Sequence, residues 1–424
     1  MDVLLLSGNE KATESLQYGV PPSSAAVLNR NKVSFAPSGA SSFSNSSRGL
    51  VRFNLGSQHW LDWDTVSVQF KITSGDTNLM PVPQPWAHFQ RCRILSKGQV
   101  ITDVDNFART YEKLSLTQSK TKRNADISKG VMMPLPYEYD TVYPIAGVVG
   151  FNTAEFQTLS FNLSKILKSS TLLPLHYLDL TVELEMLSDS TGALLSLSAT
   201  DNAPITTIGG AVYTLSDFYI RGDACQLDTA YENAFTERLL DGNSLNISLV
   251  NTVSIMQNLT GADTQIQFSR SISKLKKMLI SYQGNPVDGR SRYYTKQFCE
   301  FLAPRSNIDA NPTKPENGVI KLQVGVGSDL FPSYPITSNA EAFEQLSECF
   351  ENDLAMNTQE YYSDRFIFGL NFDKLRDVNF SGMSLKNKQV VIHSKLTTAI
   401  ARMHIVLQYD CILEVNDASV TLFE

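Results

Sequence analysis

The chain has 424 residues, 42% of them apolar and 19% charged, with a formal net charge of −7. That length allows two or three domains, and that composition excludes a disordered or collagen-like chain. The acidic balance argues against direct, sequence-specific nucleic-acid binding, which calls for a basic face or arm. No apolar run approaches the ~18 residues of a membrane span.

Residues 1–47 show little periodicity and a Ser-rich run at 38–47, which predicts an arm ordered only against a partner. The apolar stretch Val3-Leu4-Leu5-Leu6 is too short for a signal sequence and follows an acid. Val51, Phe53 and Leu55 then alternate, the signature of a strand. Val66, Val68, Phe70 and Ile72 repeat that period, with Thr65, Ser67, Gln69 and Lys71 on the opposite face, as in a half-buried antiparallel strand. Pro81, Pro83 and Pro85 exclude regular pairing and predict a loop. Residues 89–95 and 99–104 flank Ser96-Lys97-Gly98, a hairpin turn. Asp105 is placed to cap a helix with Phe107, Tyr111 and Leu114 on one face. The basic cluster at 120–123 lies in polar sequence and predicts a solvated loop. Leu178, Leu180, Val182, Leu184 and Met186 give the clearest strand of the chain. Residues 187–210, rich in Ser, Thr, Gly, Asp and Asn, predict a long exposed loop. A strand at 212–221 and a helix at 228–240 follow.

From residue 243 a similar order returns, with strands expected at 265–269, 275–282, 319–326, 366–371, 390–394, 403–409 and 420–423. Lys274, Lys276 and Lys277 open the second of these and are expected to guard a sheet edge. Exposed loops are expected at 284–289 and 307–317. Ser338 and Glu341 form a capping box ahead of a helix using Phe343, Leu346 and Phe350. Residues 86–114 and 318–350 thus share one order: strand, glycine turn, strand, short amphipathic helix. The expected fold is all-β, two tandem jelly-roll β-sandwiches with short helices in the inter-strand loops. The division is an N-terminal arm at 1–47, a first jelly roll at 48–222, a linker at 223–242 and a second jelly roll at 243–424.

Little in the chain speaks for catalysis. Cys92, Cys225, Cys299, Cys349 and Cys411 are odd in number and far apart, which predicts buried free thiols and a reducing compartment during folding. His59, His88, His176, His393 and His404 show no metal-ligand spacing, and His404 is expected on the outer face of its strand. Gly325-x-Gly327 lacks the third glycine of a nucleotide loop, since Leu330 stands in its place. Asp62/Asp64 and Asp103/Asp105 fit turns and caps better than a glycosidase pair. Arg221-Gly222-Asp223 spells an integrin-type tripeptide at the end of a strand and is read as a chance match, as are the sequons at Asn45, Asn162, Asn246, Asn258 and Asn379. No catalytic residue, cofactor or metal ligand is nominated.

The ordered series of motifs resembles a known family. Residues 89–109, with Cys92, the Ser96-Lys97-Gly98 turn and Asn106-Phe107, are similar to the segment leading into the first helix of Polinton and adintovirus major capsid proteins. Val51-Arg52-Phe53-Asn54-Leu55, Trp60-Leu61-Asp62, Leu173-Pro174-Leu175 and Leu215-Ser216-Asp217-Phe218 resemble other parts of that family. So do Gln323-Val324-Gly325-Val326-Gly327, Phe331-Pro332-Ser333-Tyr334-Pro335-Ile336, Phe368-Gly369-Leu370 and Asn379-Phe380-Ser381-Gly382-Met383. The likeness spans about residues 48–415. It implies the double jelly-roll fold of the adenovirus-hexon lineage and the role of a viral major capsid protein. In that role a homotrimer forms a pseudo-hexagonal capsomer. Capsomers tile an icosahedral shell around a DNA genome, alongside neighbouring capsomers, penton proteins and minor or cement proteins. It also implies a virion location after synthesis in the host cytosol. The alternative reading is a virion receptor- or glycan-binding β-sandwich protein, a penton or fibre component.

Overall fold

The computed structural model describes residues 27–47, 49–74, 79–81, 84–119, 121–122, 157–188, 193–196, 212–261, 263–283, 301, 320–350, 354, 356, 361–362, 365–375, 380–395, 401–416 and 419–424. Cys299, Asn379, Lys120, Arg123 and the loops expected at 284–289 and 307–317 lie outside them, as does most of 187–210.

The first half contains β1 (Val27–Phe35), β2 (Ser42–Ser44), β3 (Leu50–Asn54), β4 (Trp60–Ser74), β5 (Leu79–Pro81), β6 (Phe89–Ser96) and β7 (Gln99–Asp105). Helix α1 (Phe107–Leu116) follows, then β8 (Gln157–Asn162), β9 (Leu167–Ser169) and β10 (Leu173–Pro174). A short helix α2 (Leu175–Leu178), β11 (Leu180–Met186), β12 (Leu194–Ser196) and β13 (Tyr213–Leu227) complete it. Helix α3 (Thr229–Leu240) connects to β14 (Leu245–Asn258), β15 (Asp263–Phe268), β16 (Leu275–Gln283), β17 (Lys321–Val326) and β18 (Asp329–Ile336). Helix α4 (Asn339–Cys349), β19 (Phe368–Asn371), β20 (Val390–Lys395), β21 (Arg402–Val415) and β22 (Val420–Phe423) end the chain.

Sheet order makes the duplication explicit. In the first half β1, β13, β4 and β8 lie side by side, facing a second sheet of order β3-β11-β6-β7. In the second half the orders are β14-β21-β16-β19 and β15-β20-β17-β18. Strand for strand the paths correspond: β1 with β14, β4 with β16, β6 with β17, β7 with β18, β8 with β19, β11 with β20 and β13 with β21. All of these pairings are antiparallel, and α1 and α4 occupy the same place after β7 and β18. Each half is a jelly roll.

Local chemistry explains the elements. Along β4 every second side chain, Val66, Val68, Phe70 and Ile72, is fully buried, so the pleat puts one stripe into the sandwich. Phe70 stacks on Phe218 at 5.3 Å and meets Phe89 edge-on at 5.5 Å, which ties the two sheets together. The β6–β7 hairpin turns through Lys97 (φ 45°) and Gly98 (φ 83°), a left-handed pair that matches the twist of the strands.

Several expectations need correction. Residues 27–35 are not part of a free arm: β1 pairs with β13 from Val27↔Leu227 to Phe35↔Ile220. Strand β13 runs to Leu227, beyond the boundary expected at 222, and α3 then starts with the Asp228 carboxylate accepting from the Ala230 amide. Pro81 takes part in pairing after all, because β5 forms a two-stranded ribbon with β12, and a ribbon leaves a side where a proline needs no ladder bond. Pro85 opens a helical turn, as a loop would, and Pro83 lies outside the described residues. Leu178 ends α2, and the strand starts only at Leu180, after Asp179 turns through φ 47°. Asp105 does not cap α1; the position before the helix belongs to Asn106, in a left-handed conformation (φ 50°) and with no side-chain capping bond. Ser338 caps α4 by accepting from the Glu341 amide at 3.2 Å, while the Glu341 carboxylate reaches the Thr337 amide. The lysines at the start of β16 guard no edge, since β16 lies between β19 and β21.

Candidate functional site: the seam between the rolls

Helix α1 belongs to the first roll and is amphipathic, yet all ten of its residues are buried. Its apolar side enters its own roll, where Phe107 and Tyr111 meet Phe161 at 5.6 and 5.7 Å and Tyr111 packs on Trp86 at 4.5 Å. Its polar side does not face water but the second roll. Lys113 Nζ donates to the carbonyls of Leu279 on β16 (3.2 Å) and His404 on β21 (2.9 Å). Arg109 Nη2 donates to the Tyr282 carbonyl at 3.2 Å, and its guanidinium lies 4.7 Å from the Phe301 ring centre. Thr110 Oγ1 and His404 Nε2 are 3.4 Å apart.

This arrangement adds what the outer-face reading of His404 lacked. It lies on the outer face of its own sandwich, but that face is covered by α1, and the side chain is fully buried. Burial, followed by the charges of Lys113 and Arg109, holds its pKa well below the usual histidine value. Burial, and then the Arg109 charge, likewise drives Lys113 well below the usual lysine range.

Below the helix, β7 is stitched to β14. Asn251 Nδ2 donates to the Ile101 carbonyl (2.7 Å) and to Tyr409 Oη (3.1 Å), while its Oδ1 accepts from Thr102 Oγ1 (2.9 Å). Ser254 Oγ donates to the Asp105 carbonyl. The first roll also lends a strand to the second: β9 pairs with the edge of β14, from Leu249↔Ser169 to Asn251↔Leu167. Trp63 Nε1, from the first roll's β4, donates to the Leu167 carbonyl at 2.8 Å and fixes that loan in place. A buried polar network of this kind specifies one docking geometry, because every group must find its partner.

The residues weighed in the sequence are not brought together. His88 is buried against the rings of Phe70 and Tyr213, and burial lowers its pKa to about 3. His176 lies on the ring of Tyr177, 3.7 Å between centres, and burial lowers its pKa too. Among the described residues no group of three His, Cys, Asp or Glu is placed to hold a metal ion. Cys92, Cys225, Cys349 and Cys411 are buried free thiols; burial pushes Cys349 and Cys411 up to about 12, far from a reactive thiolate. Gly327 (φ 63°) turns a hairpin between β17 and β18, so a strand follows it where a phosphate loop needs a helix. Asp62 binds Arg30 at 2.5 Å, and Asp103 binds Arg91 at 2.5 Å. Lys276 Nζ lies 3.5 Å from the buried carboxylate of Asp410.

The Arg221-Gly222-Asp223 tripeptide stands inside β13, paired on one side with Ser34, Val33 and Lys32. The Asp223 carboxylate accepts from Arg30 Nε at 3.0 Å, and a Cβ on Gly222 would meet Leu61 Cδ1 at 3.0 Å. An extended, paired tripeptide does not offer the looped presentation an adhesion receptor would take.

One ion-pair group was not singled out in the sequence. Glu183 on β11 is buried between Arg52 on β3 and Arg93 on β6, and bonds to both. The signal was available: opposite charges at directly opposed positions on three adjacent strands.

No protein-family model matches the chain, and no curated protein sequence does. Solved structures do. A chain of the PBCV-1 virus capsid superposes with a TM-score of 0.61 at 10% identity, over 96% of this chain and 98% of that one. A chain of the Sputnik virophage gives 0.59 at 11% identity, over 96% and 90%. The Faustovirus major capsid protein gives 0.53 at 8% identity, over 94% and 92%. At such identities the likeness carries the fold, and the fold is the double jelly roll. Among the described residues no helix is long and apolar enough to cross a membrane.

Proposed function

We propose that the protein is a viral major capsid protein, a structural rather than catalytic component of the virion. Three copies form a pseudo-hexagonal capsomer, and capsomers tile an icosahedral shell around a DNA genome beside penton and minor or cement proteins. The chain divides into two rolls joined by α3 (Thr229–Leu240).

One observation carries this reading: a two-roll fold shared over nearly the whole chain with capsid proteins that have diverged to about a tenth identity. The seam supports it. Two rolls locked by α1 and β9 make a rigid block, as a shell needs, and the described titratable groups at the seam are spent on holding it. Two rolls per chain give three chains six near-equivalent sides. The contacts between chains would be heterologous and close into a ring.

The test is mass measurement of the purified protein with negative-stain imaging. Trimers of hexagonal outline are expected. A protein that stays a single chain, alone and with its viral partners, would sink the proposal.

A further inference from the structure

In the first roll the end strand β3 does not present a bare edge. Pro37 bridges Phe53, and the Ser38 amide donates to the Arg52 carbonyl at 2.7 Å, so the chain's own approach to β3 covers it. The strand in the same position in the second roll is β15, the end of the order β15-β20-β17-β18. Among the described residues no such cover lies on it. The reason is local: residues 36–49 join β1 to β3, whereas only 259–262 join β14 to β15, too few to turn back along the edge.

The edge of β15 is also unguarded. Sheet edges that must stay unpaired carry prolines, lysines or bulges. Strand β18, at the other end of the same sheet, has Pro332, Pro335 and a break in register. Strand β1 has Arg30, Lys32 and a bulge. Strand β15 has no proline, lysine or arginine, and its register with β20 is unbroken from Asp263↔Lys395 to Phe268↔Val390. Every second residue therefore turns its N–H and C=O to the open side. The inward side chains show the missing neighbour: on β3 Val51 and Phe53 are fully buried, whereas on β15 Phe268 is only half-buried.

We infer that the edge of β15 receives, as an added strand, the run Leu16–Val20 of a second copy of this chain. Residues 1–26 precede β1, and within them Leu16, Tyr18 and Val20 alternate with Gln17 and Gly19 before Pro21 and Pro22 end the run. That is a strand signal of five residues for an edge of six. Its apolar side chains would lie beside Ile266 and Phe268, and Gln17 beside Gln265 and Gln267. An amide row is already begun there, since Gln389 Nε2 donates to Gln267 Oε1 at 2.9 Å. The copy's own arm does not reach. Val27 is on β1, and β13, β4, β9 and β14 lie between it and β15. At ~4.8 Å per strand and ~10 Å across the sandwich, the straight line through the interior is already ~20 Å. The way round the surface exceeds the ~23 Å that the chain from Val20 to Val27 can span. The inference needs copies that associate, which the capsomer reading supplies, and needs nothing of how the rolls meet in the ring.

The experiment uses the full chain. Amide hydrogen exchange of β15 is compared in the wild type, Tyr18→Phe and Tyr18→Pro, with mass by light scattering and circular dichroism as the folding check. All three are expected to be folded trimers, with β15 amides about tenfold slower in the wild type and Tyr18→Phe than in Tyr18→Pro. Equal exchange in all three overturns this inference and leaves the capsomer standing: fast exchange means a bare edge, slow exchange another occupant. A tagged Gln17→Cys copy, mixed with an untagged Gln265→Cys copy under air oxidation, identifies the donor. A disulfide joining tagged to untagged chains is expected, and its absence overturns the assignment to a second copy. A wild type that never leaves the single-chain state overturns both the inference and the capsomer.

Discussion

Lys113 of the first roll donates its Nζ hydrogen to the main-chain carbonyl of His404 in the second, 2.9 Å away, in a place from which water is excluded. The bond joins residues 291 positions apart, and with the Leu279 carbonyl it makes one lysine a bolt through two strands of the neighbouring sheet.

Removing that bolt should loosen the seam. Lys113→Ala deletes the donor and the buried stem, and is expected to cost about 2–4 kcal/mol. Lys113→Met keeps most of the stem and should cost less, about 1–2 kcal/mol, for the lost donors. Urea denaturation of both variants measures the order, and a methionine variant worse than alanine would contradict this account.

Acid should weaken the fold through its buried histidines. The unfolded chain takes up protons near the ordinary histidine pKa of ~6.5, whereas folded His88 resists protonation down to about 3 and folded His404 is shifted the same way. The unfolded state thus binds more protons between these limits, and stability falls as pH falls. For His88 alone the loss is about 2 kcal/mol between pH 6.5 and 5. His88→Leu should flatten the dependence of unfolding free energy on pH over that range; a slope equal to the wild type's would refute the assignment.

Gly382 stands where no side chain fits, because a Cβ there would lie 2.4 Å from the Leu275 carbonyl oxygen. The neighbouring Met383 exchanges two main-chain bonds with Leu275, at 2.8 and 2.9 Å. Gly382→Ala must push these strands apart and should destabilise by about 3 kcal/mol. A melting temperature within a degree of the wild type's would show that the backbone yields more easily than its packing implies.

Glu183 holds two arginines from opposite sides. Both arginine side chains keep access to water, 53% and 32% exposed, so Glu183→Ala should cost only about 1–2 kcal/mol. High salt should narrow the gap between the variant and the wild type, and a gap that is independent of salt would assign the loss to packing instead.

How much of this was legible depends on what lies next to each strand. The period of two in Val66, Val68, Phe70 and Ile72 predicts a strand with one dry face, and β4 is one. The same rule puts His404 on the outer face but misses its burial, because alternation distinguishes two faces and cannot tell that α1 covers the second. The near-continuous apolar run around it, Met403-His404-Ile405-Val406-Leu407, is the better signal, since a strand buried on both faces loses its alternation. Strand β1 fails in the opposite sense: it is exposed on nearly all sides in the single chain, so it carries no apolar stripe and resembles an arm. Lys113 and Arg109 pass unnoticed in sequence because a polar helical face normally means water, and only the second roll makes it a seam. The doubled order of strand, turn, strand and helix was visible because it is local; the loan of β9 was not, because it joins chain segments some eighty residues apart.

That loan has a direction in time. The ribosome makes the first roll first, so β9 and β7 have left the exit tunnel before β14 exists. The opening strand of the second roll therefore emerges onto a finished template that already offers an edge to pair with, and the younger half of the molecule is folded against the older one rather than beside it.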